Sequence, residues 1–274
     1  MKDNQASKLT PGITDPSISD KGEMFIGWAP APKVDRRFLL GALPLAFAAT
    51  TGISYAIASE FDDPGAGSWN TGATHAVTGA WSTYPYPALR MLDESVPGGV
   101  RTVLVVTAGK CTSVLGNTPD TARPVQASGV LIERKNRQML EVPPLLNEWL
   151  EEDANISPQD MEVLRNPLTE KLGSATYRGL IVDSKCFFGV MKPARGMTHK
   201  ACASLCIRGG IPPSFWVRDG KGKESVMLMT DARGGPITKE VLPLVLEPVE
   251  ATGEVVRVGD VLQFRADVET YRRI

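Results

Sequence analysis

Histidine is nearly missing from this 274-residue sequence: His75 and His199 are the only two, so imidazole chemistry has two addresses. Cysteine is sparse too, and four are too few for a small scaffold held by disulfides. Neither sign of charge is in excess. Thirty Lys and Arg against 31 Asp and Glu leave a formal net charge of -1, without the basic surplus of a nucleic-acid protein, so no nucleic acid is expected as a partner. With 42% hydrophobic and 22% charged residues, the chain is neither disordered throughout nor a polytopic membrane protein. Ser–His–acid sets, phosphate loops and dinucleotide fingerprints are all absent, which leaves hydrolase and nucleotide-enzyme chemistry without residues to carry it. No catalytic residue is assigned, and the chain reads as a binding protein rather than an enzyme.

Turn chemistry, by contrast, is plentiful. Gly (26) and Pro (21) together suit a mainly β, turn-rich fold better than a helical bundle. One apolar run stands out, Phe38 to Ala58, whose 21 residues span about 31 Å as a helix, enough for a bilayer core of about 30 Å. Lys33, Arg36 and Arg37 precede it, and Glu60, Asp62 and Asp63 follow. That asymmetry keeps a polar, disordered leader (1–37) in the cytoplasm and sends the rest across the bacterial inner membrane into the periplasm. Arg36-Arg37-Phe38-Leu39-Leu40 is similar to a twin-arginine export signal, and Ala56-Ile57-Ala58 to a cleavage site. Residues 38–58 therefore read as a single-pass anchor or as a cleaved signal that releases a soluble periplasmic protein; a buried core helix is the plainer alternative.

The exported part reads as a duplicated β unit: 59–142, a helical connector over 143–175, and 176–274. Ala76–Trp81 and Thr102–Thr107 are strands of the first copy, and 125–132 with 139–142 form a hairpin about Lys135-Asn136. Tyr177–Val182 and Ser225–Thr230 repeat the first two, while Val249-Glu250-Ala251-Thr252-Gly253 aligns with Val125-Gln126-Ala127-Ser128-Gly129. The expected fold is two small β-barrel or sandwich-like units, with chance likeness between ordinary hairpins as the alternative. In the connector, Ser157 is an N-cap with Pro158 at the first helical position.

The second copy carries an insertion, 183–213, that the first lacks. Three of the four cysteines and one of the two histidines fall within 21 residues, as Cys186, His199, Cys202 and Cys206. The spacing C-x12-H-x2-C-x3-C matches no zinc-finger, Rieske, ferredoxin, attached-haem or thioredoxin-like pattern. Thr198 can cap a helix over 199–208 that Gly209-Gly210 and Pro212-Pro213 end, putting Cys202 and Cys206 on one face. Soft thiolates with one imidazole suit a transition metal, Zn²⁺ or Cu⁺, or an iron–sulfur cluster. The alternatives are a disulfide from Cys186 to one of the helical cysteines, or simply buried thiols. Asp183 is either a partner of His199 or a turn former, Met191 and Met197 are soft donors or packing, and Cys111 and His75 stand apart.

The stretch Asp183-Ser184-Lys185-Cys186, His199, Cys202-Ala203, Cys206 and Gly210-Ile211-Pro212-Pro213, together with Tyr84-Pro85-Tyr86-Pro87, resembles a family of uncharacterised bacterial exported or membrane-anchored proteins. Their shared pattern is D-x-K-C … H-x-x-C-A-x-x-C … G-I-P. The resemblance implies that this segment is a site and names no reaction. The resulting expectation is a periplasmic metal- or metal-cluster-binding protein, an accessory or electron-transfer subunit tied to the membrane and to a membrane protein complex. A disulfide-stapled structural or interaction subunit is the alternative.

Overall fold

A computed structural model of the chain describes residues 25–26, 29–30, 33–59, 67–116, 120–145, 148–152, 155–189, 191 and 194–274. It falls into two units, Met1–Asp62 and Asp63–Ile274. Most of the leader expected over 1–37 lies outside the described residues.

The first unit holds a short antiparallel pair, β1 (Phe25–Ile26) with β2 (Ala29–Pro30), and one helix, α1 (Lys33–Ser59). From Asp35 to Ile57 this helix has mean hydropathy 1.5, and none of it is buried. Phe38, Leu43, Leu45, Phe47 and Ile53 all face outward, which no soluble core explains. One apolar N-terminal helix of this length fits a signal anchor or a single-pass span.

The second unit is mainly β and contains two rings of five strands. In the first, β4 (His75–Ser82), β5 (Ala88–Leu92) and β6 (Val100–Thr107) form an antiparallel meander. β7 (Arg123–Arg134) and β8 (Arg137–Val142) are the hairpin centred on Lys135-Asn136, where Lys135 takes φ 55°. β8 lies parallel to β6, and the first half of β7 returns to β4, which closes the ring. β3 (Gly67–Trp69) and β9 (Leu150–Glu152) flank β7.

The second ring repeats this order. β10 (Thr169–Asp183), β11 (Pro213–Arg218) and β12 (Glu224–Thr230) are the meander, and β13 (Pro248–Val258) with β14 (Val261–Arg265) is the hairpin. β14 runs parallel to β12, β13 closes on β10, and β15 (Arg272–Arg273) extends the edge of β13. Each ring has the connectivity of an OB-type barrel.

The glycines of the duplicated sequence have a physical reason. A Cβ at Gly79 would stand 2.4 Å from Arg90 O, and one at Gly179 would stand 2.2 Å from Trp216 O. Likewise Gly129 would meet Glu141 O at 2.5 Å and Gly253 would meet Arg265 O at 2.6 Å. Both barrels thus need a bare backbone at the same two points, where a strand is pressed onto its neighbour's carbonyl.

The connector is less helical than its sequence suggested. Among its described residues only α2 (Pro158–Arg165) is α-helix, capped by Ser157 Oγ accepting from Asp160 N, while β9 and the start of β10 take up part of the remainder. Tertiary pairing overrides local propensity there, since both flanking segments find a strand edge. Phe187, Phe215 and Phe264 anchor a core that also takes in Leu104, Val106, Ile132 and Met139 of the first barrel, so the two barrels pack through one apolar cluster, while Trp81, Leu89, Val103, Val105 and Val125 fill the first barrel's own interior.

Candidate metal centre

The insertion joins β10 to β11. Asp183, the last residue of β10, caps the short helix α3 (Ser184–Phe188): its Oδ1 accepts from Cys186 N at 2.8 Å. Ser184 Oγ donates to Pro212 O at 2.6 Å and shares a hydrogen bond with Ser214 Oγ at 2.8 Å, tying the start of the insertion to its end. The second helix, α4 (Lys200–Arg208), follows a 3-10 turn over Met197–His199, and its N-cap is His199 rather than Thr198. Gly209 and Gly210 end it as expected. A Cβ on Gly209 would lie 1.5 Å from Lys110 O, and Ser113 N donates to Gly209 O at 2.7 Å, so the first barrel packs on this terminus.

This framework brings three sulfurs together. Cys186 Sγ is 3.9 Å from both Cys202 Sγ and Cys206 Sγ, and all three lie within 4.8 Å of one another. No pair is bonded; all four cysteines are free, so the disulfide staple is not formed. Asp183, Cys186 and His199 make a second group whose ligand atoms also lie within 4.8 Å, all three residues buried. His199 Nε2 is 3.2 Å from Asp183 Oδ2. Asp183 is therefore both the turn-forming cap and the partner of His199.

Two lysines had no role assigned from the sequence, although Lys185 is the lysine of the D-x-K-C pattern. Lys110, in the loop after β6, donates to Cys202 Sγ at 2.9 Å and to Cys206 Sγ at 3.0 Å. Lys185, buried beside the site, donates to Thr107 O, Gly109 O and Glu141 Oε1 at 2.8, 3.0 and 3.1 Å. Nothing in local spacing singles out Lys110, because it comes from the other barrel. The remaining residues lie elsewhere: Cys111 is exposed and in neither group, Met191 and Met197 face outward, and His75 meets Asn70 at the start of β4.

The electrostatics separate the thiols. Hydrogen bonding with Cys206, then burial and the nearby Asp183 carboxylate, hold the Cys186 thiol well above its ordinary value. The same bond, aided by the Lys110 ammonium and opposed by burial, brings Cys206 down to about 7. Burial works against the charge on Lys110, yet its bonds to Cys202 and Cys206 outweigh it and raise this group. The cluster thus carries a proton on Cys186, thiolate character on Cys206 and a fixed cation across two sulfurs. Such a set can release protons to take up a soft metal ion.

No family model and no curated protein matches the sequence. A solved structure similar to it is that of a deletion mutant of the single-stranded DNA binding protein from Thermus aquaticus, at 12% identity over 76% of this chain and 87% of that one, with a TM-score of 0.20. The partner expectation is corrected on this finding: nucleic acid is no longer excluded. A whole-chain charge of -1 averages over every face and rules out no local basic surface. At that TM-score the likeness carries no argument for nucleic acid either.

Proposed function

We propose that the second barrel binds one transition-metal ion through Cys186, Cys202 and Cys206, in a protein carried to the periplasm by its N-terminal apolar helix. The observation that carries this reading is the pair of 3.9 Å separations from Cys186 Sγ. Zn–S bonds of about 2.3 Å put the sulfurs of a tetrahedral site about 3.8 Å apart, and those of a trigonal site about 4.0 Å apart. A cubane cluster seats its cysteines on different irons and spreads their sulfurs much farther. The three thiolates would hold the ion and Lys110 would offset the excess negative charge, while His199, held by Asp183, shares only Cys186 with that set and belongs to the second group. Three thiolates on a divalent ion leave one negative charge, which a single ammonium balances.

Export is supported by the charge asymmetry about the helix, with Lys33, Arg36 and Arg37 before it and Glu60, Asp62 and Asp63 after. The resemblance to exported and anchored bacterial proteins, carried by the same cysteine motif, points the same way.

The test is elemental analysis and a visible spectrum of the full chain purified in detergent, alongside Cys206→Ser. One Zn or Cu per chain, lost in the variant, is the expected result. Acid-labile sulfide with iron–sulfur absorption would replace the single ion by a cluster and overturn the reading. So would metal-free protein that fails to take up added Zn²⁺ or Cu⁺. Copper would favour electron transfer or copper handling, and zinc an accessory role without redox change. Alkaline phosphatase fused after residue 66 should be active in cells; an inactive fusion defeats the periplasmic assignment.

A further inference from the structure

A second surface shares no residue with the thiol cluster. Two adjoining clefts of about 370 and 410 Å³ have Tyr84, Arg90, Arg165 and Asn166 in common. The larger is walled by four arginines, Arg90 from β5, Arg165 from the end of α2, Arg233 from the loop after β12 and Arg265 from β14, and no carboxylate lines it. The two barrels and the connector between them all contribute.

These arginines differ from others in the chain. Arg101, Arg178 and Arg257 each sit against a carboxylate, at 2.5 to 2.8 Å. Among the described residues none of the four cleft arginines is in an ion pair. Arg165 Nε donates to Ala122 O at 3.0 Å, and Arg265 donates through Nε and Nη2 to Gln263 Oε1 at 3.1 and 2.9 Å, so their protein partners are neutral. The acid of the smaller cleft, Asp120, is engaged by Ser82 Oγ and Thr83 N. Burial holds the Arg90 guanidinium below its ordinary value. Gly234 lies close over Arg265, 3.3 Å from a Cβ position to Cζ, and Asp231 fixes that loop by accepting from Arg233 N at 2.8 Å and Gly235 N at 2.7 Å.

Four guanidinium groups near one carboxylate, Asp120 beside Arg90, keep an excess of like charge that destabilises the free fold, and an anion in their midst reverses the sign. A guanidinium fork matches phosphate oxygens two at a time, which no single carboxylate in the cleft could exploit on four sides at once. From the geometry we infer that this cleft binds a phosphate-bearing ligand, with the Tyr84 ring on its wall as a face for a base or sugar. The phosphates of a nucleic-acid strand and those of a small phosphate compound offer the same chemistry. The inference does not depend on the metal.

Binding of inorganic pyrophosphate by calorimetry, and of a fluorescein-labelled oligodeoxythymidine by anisotropy, tests it on the full chain in detergent at low salt. At least one probe should bind saturably, weaken as salt rises, and lose about tenfold or more in affinity with Arg90→Gln. Arg233→Gln, on a loop, gives the same reading should the β5 variant misfold. Preference for the oligonucleotide identifies a strand, and preference for pyrophosphate a small phosphate compound. Absence of saturable binding by either probe, or binding undiminished in the folded variants, overturns the proposal.

Discussion

The two barrels share a strand order and differ in one connection. Between the first and second strands of the first barrel lie five residues, 83–87; at the same place in the second lie 29, residues 184–212. Both connections reach into the other barrel. From the short one, Tyr86 Oη donates to Met229 O at 2.7 Å and stands 3.0 Å from Ile237 O, and Ile237 N donates back to it at 3.0 Å. From the long one, Lys185 grips Thr107 O, Gly109 O and Glu141. The barrel is the common scaffold, and the clustered thiols sit on the one long connection, which leaves the ring undisturbed.

Removing a thiol tests that division most severely. Cys206→Ser should lower zinc affinity by about a thousandfold, roughly 4 kcal/mol, in competition with a chromophoric chelator, while Cys111→Ser leaves it unchanged. An equal loss in both would mean that the site is not confined to the insertion. Next comes Lys185→Met, which leaves Glu141 without its buried cation; denaturant unfolding should register a loss of about 3–5 kcal/mol. The reciprocal change, Tyr86→Phe, strips the hydroxyl from its carbonyls and should cost less, about 1–3 kcal/mol. If the tyrosine variant proved the more damaging, the short connection would be the main clasp.

The smallest effect concerns acid. The Asp93 carboxyl in the β5–β6 turn is held down to about 2, first by the Ser95 hydroxyl and then by Arg101. A carboxyl lowered on folding contributes stability that is present above its unfolded value of about 4 and fades as pH falls towards 2. Thermal melts from pH 6 to 2 should therefore decline less steeply for Asp93→Asn than for the parent, and parallel declines would dismiss this contribution.

Much of the fold was legible because each strand writes its own pattern. Thr102–Thr107 is a β-branched run, and Val125–Gly129 and Val249–Gly253 carry the same glycine for the same carbonyl contact. β5 and β11 were harder to read. Ala88–Leu92 follows Tyr-Pro-Tyr-Pro, and Pro213 looked like the end of a helix when it is the first residue of a strand, a position that needs no amide donor to the ladder. Cys186, Cys202 and Cys206 announced themselves by crowding into one insertion. Lys110 did not, since it lies 92 residues from Cys202 and meets it only when the barrels pack.

By itself, the sequence determined most of the barrel strands, the Lys135-Asn136 turn, the apolar N-terminal helix and the segment holding the soft donors, all of which depend on neighbours a few positions apart. Tertiary structure decided that the strands close into rings, that a lysine of one barrel spans two thiols of the other, and that four arginines from separate elements share one cleft. Those outcomes turn on contacts between residues tens of positions apart, and no local spacing encodes them.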